Sequence, residues 1–501
     1  MSVNGASVDG ALKWRSIPEM ALSAADRFGD AEAVVDGDLR LTFGELADRI
    51  RAAAGAYAHE LGIRKGDRVA LWAPNSADWI VAAFGLTAAG GVLVPVNTRF
   101  KDAEAHDIVR RSGARALLVH NGFLDREFTG PEGVPVIDVT SGFLASGSAY
   151  EREVGALDED DIADIVFTSG TTGRSKGVMT THGQTLRLYD EWCDLAGLRQ
   201  GDRYLMVNPY FHIFGYKAGL VASFLRGATM LPVPVFDTDV VLDLVERERV
   251  TVLPGPPTLY HSLLAAPAGR DLSSLRVAVT GSADIPVELV RRVTTELPFQ
   301  HLMTGYGLTE AGTVTASRPG DPYEAVATTV GRPCEGFEVR IADDGEVLVR
   351  GYAVMKGYLD DPAATAETID PDGWLHTGDL GELDAEGRLK IVGRKKDMFI
   401  VGGFNAYPAE IEGFLLEHPA VAQAAVIGVP DARMGQVGKA YVVARERVSA
   451  EDLIGWSRER MAGFKVPRHI EFRDALPLGA TGKVLKDQLT AGRPEEEPRH
   501  P

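Results

Sequence analysis

Short apolar runs recur along the chain, each followed by a longer amphipathic stretch: Val69-Ala-Leu-Trp72, Val92-Leu-Val94, Ala116-Leu-Leu-Val119, Ile165-Val-Phe167, Thr251-Val-Leu253 and Val277-Ala-Val279. Continuous apolar runs of this length predict strands buried on both faces, and the amphipathic spacers predict helices laid against them. The expected class is therefore α/β in layers. From about Gly331 the pattern shortens into alternation, as in Gly345-Glu-Val-Leu-Val-Arg350, which predicts a barrel-like or antiparallel β module. A third texture starts after Gly393, with a helix expected over Ala409 to Glu417 and strands over Val421 to Val429 and Ala440 to Ala444. These form a small α+β unit of about a hundred residues, an ordinary size for a domain. The expected division is a large N-terminal domain over 1–394, a small C-terminal domain over 395–492, and a Pro- and Glu-rich disordered tail over 493–501.

One stretch, Trp79 to Val96, carries no charged residue and is long enough to raise a membrane span. Gly90-Gly91 splits it and Pro95 lies in its second half, so helix, tight turn and buried strand is the better reading. A chain of 501 residues exceeds what one compact core holds. Its 52 Lys and Arg against 71 Asp and Glu give a net charge of −19, the wrong sign for a nucleic-acid partner. Two cysteines, Cys193 and Cys334, cannot build a disulfide framework or a metal cluster. The N-terminus lacks the basic and apolar regions of a signal peptide, and a cytoplasmic protein is expected.

The chemistry concentrates in Thr168-Ser-Gly-Thr-Thr-Gly-Arg-Ser-Lys-Gly177, directly after an apolar strand. Gly170 and Gly173 let the backbone turn its N–H groups inward, and Thr168, Ser169, Thr171 and Thr172 add hydroxyl donors. Lys176 adds charge, so the segment is suited to cradle phosphate. A flexible linker of similar composition would not sit tightly between a buried strand and the next ordered segment. Nor is it a Walker loop: counting from Gly170, the second glycine would fall at Ser175, and Gly177 follows the lysine instead of preceding it.

The segment resembles the phosphate loop of the adenylate-forming superfamily, which holds acyl- and aryl-CoA synthetases, peptide-synthetase adenylation domains and luciferase. Further motifs follow in the family's order, and the resemblance runs from Leu41 to Lys483. It implies ATP, Mg2+ and coenzyme A as cofactors. Gly305-Tyr-Gly-Leu-Thr-Glu310 matches a motif in which Tyr306 stacks on adenine beside Gly305 and Gly307, Thr309 bonds the α-phosphate, and Glu310 helps hold magnesium. A carboxylate beside a triphosphate needs such a cation between them. Gly281-Ser282-Ala283 stands where relatives carry a small run along adenine, with Ser282 departing a little. By the same resemblance Asp379 accepts from the ribose hydroxyls, Arg394 closes over ribose and phosphate, and exposed Lys396 is the hinge between the domains. Gly402, Gly403 and Lys465 belong to surfaces that meet coenzyme A. Lys483, in Ala-Thr-Gly-Lys483, is the catalytic lysine that neutralises charge as a carboxylate attacks the α-phosphate.

Substrate choice is expected after the stretch Asn208-Pro-Tyr-Phe-His-Ile-Phe-Gly-Tyr-Lys-Ala-Gly219, with the residues around His212 bordering the acyl tunnel in relatives. His212, placed with the catalytic set and at the acyl tunnel, is weighed against a hydrogen-bonded core histidine. Tyr216 and Lys217 follow as substrate contacts. Lys217 among apolar neighbours either meets a ketone, carboxylate or other polar end, or snorkels to solvent. This stretch, with Thr251 to Pro257 and Val326 to Arg332, is most similar to the bacterial CoA ligases of sterol-ring degradation, which activate the propanoate chain of an indane-dione. The expected partners are a small carboxylic acid, ATP and coenzyme A, and a homodimer is admitted. Two rival readings keep the same ATP motifs, loading of a carrier protein and nitrite activation for diazotisation of an aromatic amine; a binding protein without catalysis is opposed by the retained Glu310, Asp379, Arg394 and Lys483. Ser175, Gly479 and Gln436 depart from the family pattern without removing a charge the chemistry needs.

Overall fold

The alternation of side chains along the buried strands sorts the core into layers. The computed structural model describes residues 12–150, 154–168, 175–266, 269–281, 287–401, 404–479 and 484–490. In the strand Arg68–Trp72, Val69 and Leu71 enter one core while Ala70 and Trp72 enter another on the opposite face. In Val277–Gly281, Val277 and Val279 join the first core and Ala278 a third. The first core is therefore shared by two sheets, each also covered on its far side. That is why Val69 to Trp72 and Val277 to Val279 run apolar without alternation.

One sheet has seven strands, with Arg68–Trp72 flanked in parallel by Val92–Pro95 and Leu117–Val119. Its other half holds the antiparallel hairpin Ile162–Thr168 and Lys176–Thr181, with Gly357–Tyr358 at the edge. The second has nine strands; its parallel centre includes Val252–Pro254, Val277–Gly281 and His301–Leu308. The helices Phe43–His59, Ala77–Ala88 and His182–Ala196 fill the shared core between them. A Cβ at Gly85 would stand 2.5 Å from that of Ala53, so glycine is what lets the first two helices cross so closely. The charge-free stretch is the helix Ala77–Ala88, a turn at Gly90 with φ 86°, and the strand Val92–Pro95. Among the described residues no helix is long and apolar enough to cross a membrane.

The alternating segment forms a four-stranded antiparallel sheet, Phe337–Ile341, Glu346–Gly351, Leu375–Leu383 and Leu389–Arg394. Beyond it, Phe399–Val401, Val421–Asp431, Gly435–Ala444 and the helices Pro408–Leu416 and Ala450–Arg458 surround separate cores. Every member of those cores comes from residue 399 onward. The first helix starts one residue earlier than its apolar pattern suggests, because Pro408 fits the first helical position. The strand from Val421 runs two residues further because the hairpin with Gly435–Ala444 carries its pairing to Asp431.

Gly331 holds the four-stranded sheet to the nine-stranded one. Its carbonyl accepts from Leu389 N–H at 2.8 Å, its φ is +79°, and a Cβ there would lie 1.9 Å from the backbone carbon of Ala316. Gly331→Ala should therefore destabilise the protein by about 3 kcal/mol or more, since strain and a backbone clash act together. Gly320 has φ +87° but open space around it, so Gly320→Ala should cost only about 1–2 kcal/mol. Thermal inactivation of the two variants checks this, and equal losses would remove the clash from the account.

Candidate active site

The phosphate segment is the connection of a hairpin. Thr168 and Lys176 are its last paired residues, so the register of two buried strands sets the mouth of the loop. Ser169, Gly170, Thr171, Thr172 and Gly173 lie outside the described residues. Lys176 places its ammonium 4.8 Å above the ring centre of Tyr358. The Tyr358 hydroxyl in turn donates to Glu310 Oε1 at 2.9 Å. Burial pushes the Glu310 carboxyl above its ordinary range, and the bond from Tyr358 with the charges of Lys176 and Arg394 opposes that rise. Lys176, Tyr358, Glu310 and Arg394 are thus electrostatic neighbours.

A second cluster forms across two sheets. Tyr306, on the nine-stranded sheet, donates its hydroxyl to Asp379 Oδ2 at 2.6 Å. Asp379 and Arg394 face each other on paired strands of the four-stranded sheet, with Arg394 Nε 3.0 Å from Asp379 Oδ1. Burial, then the neighbouring Asp379 charge, push the Tyr306 hydroxyl well up, so it stays protonated and donates. The floor is made of glycine: a Cβ would lie 3.2 Å from Gly305 O at Gly281, 2.7 Å from Thr315 O at Gly305 and 2.3 Å from Gly312 O at Gly307. Such a surface admits a flat ring near the backbone. Ser282 and Ala283 lie outside the described residues.

Thr309 borders a narrow cleft with Ile213, Lys217, Thr180, Leu188 and Gly312. His212 accepts from Phe214 N–H at its Nδ1, 3.2 Å away, and its carbonyl accepts from Tyr216 N–H. This closes the entry to Phe214–Val221, which is a π-helix, a rare form frequent at functional sites. Nothing in the sequence foretells that winding. Tyr216 is buried among aromatic rings, 5.8 Å from Trp79 and 6.3 Å from Phe84. Lys217 does not snorkel: it is 4% exposed and paired with Asp164 at 3.0 Å.

The chain leaves this region at Lys395, whose ammonium pairs with Asp344 at 2.6 Å and Glu346 at 3.3 Å. Lys396 follows, exposed, in a turn where Asp397 and Met398 N–H both donate to Arg394 O. Lys465 is paired with Glu410. Gly402, Gly403 and Lys483 lie outside the described residues; Leu478 and Val484 pair as a bridge either side of the last. Sequence reasoning missed Tyr358, Asp164, Thr180 and Lys395. Tyr358 belongs to no motif and reaches Glu310 only because Gly357–Tyr358 adds an edge to the phosphate-loop hairpin. An uncharged hydroxyl and an acid inside an apolar strand leave no spacing signal.

A model of the AMP-binding enzyme family matches residues 22–359, and one of the AMP-binding enzyme C-terminal domain matches 410–483. The chain belongs to the AMP-binding enzyme family. It is an acyl-CoA synthetase of that family, a class that uses ATP, magnesium and coenzyme A. It is 48% identical to a 7a-methyl-1,5-dioxo-octahydro-1H-inden-4-yl propanoyl:CoA ligase of Rhodococcus jostii (strain RHA1), over 94% of this chain and 98% of that one. It is 47% identical to the ligase of the same name from Mycobacterium tuberculosis, over 95% and 98%. Among solved structures, the anthranilate CoA ligase AuaEII in complex with anthranoyl-AMP superposes with a TM-score of 0.86 at 27% identity, covering 98% of each chain. The o-succinylbenzoate CoA synthetase MenE of Bacillus subtilis with its acyl-adenylate gives 0.83 at 32% identity, over 95% of this chain and 98% of that one.

The Glu310 carboxyl generates a pH prediction. A carboxyl raised by burial loses its charge as pH falls through a point above the ordinary carboxylate range. Tyr358→Phe removes a bond that favours the charged form, so the point should move further toward neutral pH. The acid limb of kcat/KM for MgATP is the measurement. A limb that does not move in Tyr358→Phe would detach that hydroxyl from Glu310 ionisation.

Proposed function

We propose that this enzyme activates a ring-bearing propanoate with ketone oxygens at its far end and passes it to coenzyme A. The observation that carries the nucleotide half is the Tyr306–Asp379–Arg394 cluster beside the Lys176–Tyr358–Glu310 cluster. The acid half is supported by the two relatives named for an indenyl-dione propanoate. In the first step a carboxylate oxygen attacks the α-phosphorus and the bond to pyrophosphate breaks. In the second the thiol sulfur attacks the acyl carbon, AMP leaves with the bonding electrons, and the thiol proton passes to solvent. No protein nucleophile enters, so the residues act by position and charge.

In this reading the loop Thr168 to Lys176 wraps the phosphates, Tyr306 lies along adenine on Gly281, Gly305 and Gly307, and Asp379 with Arg394 takes the ribose. Thr309 meets the α-phosphate, and Lys483 neutralises charge during attack. Glu310 fits magnesium: a partly buried carboxylate is a hard oxygen ligand that gains from a divalent cation. When bound with ATP, that ion neutralises phosphate charge. His212 and Tyr216 belong to the wall of the acyl pocket, and Gly402, Gly403 and Lys465 to the approach of coenzyme A. The buried free thiols Cys193 and Cys334 suit a cytoplasmic enzyme. A homodimer is decided by the mass in solution.

Pyrophosphate release across indane-dione propanoate, aryl acids, short fatty acids and nitrite tests the reading. Release that requires the ring propanoate, with AMP release requiring coenzyme A, is expected. Release with nitrite and an aromatic amine, and no acid, overturns it while sparing the adenylation chemistry.

The two lysines should divide the steps. Lys483→Ala should slow acyl-adenylate formation about a hundredfold or more and affect thioester formation from preformed adenylate much less. Lys396→Pro fixes φ at the proposed hinge, so adenylation should persist while transfer collapses. Single-turnover rates of each half-reaction decide, and equal losses in both steps for both variants sink the two-conformation account.

A further inference from the structure

Lys217 reaches the edge of the cleft from a helix pressed against the chain before it. A Cβ at Gly215 would lie 2.2 Å from Pro209 O, and one at Gly219 would lie 3.0 Å from Met206 Sδ. Its ammonium donates to Thr180 Oγ1 at 2.6 Å and pairs with Asp164 Oδ1 at 3.0 Å. Thr180 donates to the same Asp164 oxygen at 2.7 Å, the two residues facing each other across the phosphate-loop hairpin. Asp164 is 0% exposed and its Oδ2 has no hydrogen-bond partner. His182 stands nearby, with its Nδ1 accepting from Ile17 N–H; burial pushes it down to about 4, so it adds no charge at neutral pH.

An ammonium has three N–H donors, and these contacts use two. The buried pair adds little to stability, because apolar residues of similar volume would serve as well. Its net charge is zero, yet it brings a strong donor to a cleft that also touches Thr309, at the end where the acid's carboxylate would react. A neutral oxygen can take the third N–H without carrying charge into a closed space. A second carboxylate would be drawn to Lys217 but repelled by Asp164, and would lose its hydration.

We propose that Lys217, neutralised by Asp164 and Thr180, is a specificity-determining residue that donates one hydrogen bond to a neutral ketone oxygen at the far end of the acid, and that Asp164 excludes acids bearing a second carboxylate there. This rests on the reading above, in which a ring propanoate enters past Thr309.

The test compares kcat/KM for indane-dione propanoate, its analogue with methylenes in place of ketones, and a ring acid with a second carboxylate. Lys217→Met alone leaves Asp164 buried without its partner and can fail to fold, so the double variant Asp164→Leu/Lys217→Met is made with it. The wild type should prefer the diketone over the methylene analogue by about ten- to a hundredfold, and the double variant should lose most of that preference. Asp164→Asn, which leaves the ammonium unneutralised, should favour the dicarboxylate over the diketone about tenfold more than the wild type does. KM for ATP should stay within about threefold in every variant that folds. A preference unchanged in the double variant overturns the assignment of Lys217, as does an equal loss on both ring acids, which marks a merely structural pair. A wild type that ignores all three ring acids while activating others overturns the function reading, and this inference with it.

Discussion

Asp379 is the carboxylate on which the geometry of the proposed nucleotide site depends. It is 6% exposed, and a charge taken that far from water costs several kcal/mol unless donors surround it. A hydroxyl donor, Tyr306, comes from the nine-stranded sheet; an ion-pair partner, Arg394, faces Asp379 within the same four-stranded sheet. The Tyr306 bond holds only if the two sheets keep one relative placement, so the need to pair a single buried charge helps fix where they meet. That meeting point is also where the glycine floor lies and where the chain turns away at Lys395. The burial that makes the pairing obligatory keeps Tyr306 protonated, as its bond to Asp379 requires.

The sequence made legible whatever repeats or is held by a motif. Apolar runs located the central strands because a strand buried on both faces shows no alternation, and the glycine pair at Gly90-Gly91 separated helix from strand where hydrophobicity alone would have joined them. The candidate site residues stand in the sequence as an ordered set of short motifs, and the structure brings together two of them, Tyr306 and Asp379, that lie 73 residues apart. What was not legible depends on tertiary partners. Tyr358 is an ordinary edge-strand tyrosine until its hydroxyl meets Glu310. Asp164 is an acid in an apolar run whose partner, Lys217, lies 53 positions on. The π-winding of Phe214–Val221 is announced by no local preference, and its glycines at 215 and 219 are accounted for only by tertiary neighbours, the carbonyl of Pro209 and the sulfur of Met206.

Two lysines show how differently an ion pair acts when its surroundings change. Lys395 and Asp344 are half exposed, and such a pair contributes about 0–1 kcal/mol. It can be exchanged for water at little cost. Lys217 and Asp164 are shut in, and separating them would strand a charge in the interior at about 3–5 kcal/mol. The weak pair sits beside the proposed hinge and the strong one on the hairpin that carries the phosphate loop. Cheap contacts thus lie where the chain would have to change course, and costly ones where the site must stay fixed.

The separate cores carry the same logic to the scale of the whole chain. Every buried residue of those two clusters lies at or beyond Phe399, so among the described residues no hydrophobic cluster crosses the turn at Lys396. If one cluster did, turning the C-terminal unit would expose apolar surface at about 25 cal/mol for each Å². Because none does, reorientation would break surface contacts, such as that of Tyr407 against Gly393, without opening a shared core. The chemistry gives a reason for such an arrangement. Both proposed steps need charge and position rather than a nucleophile, and a lysine that assists one step is of no use where a narrow thiol must enter for the next. A rigid floor bearing Tyr306, Asp379 and Glu310, with a separately folded unit able to turn against it, would let one set of nucleotide contacts serve both steps.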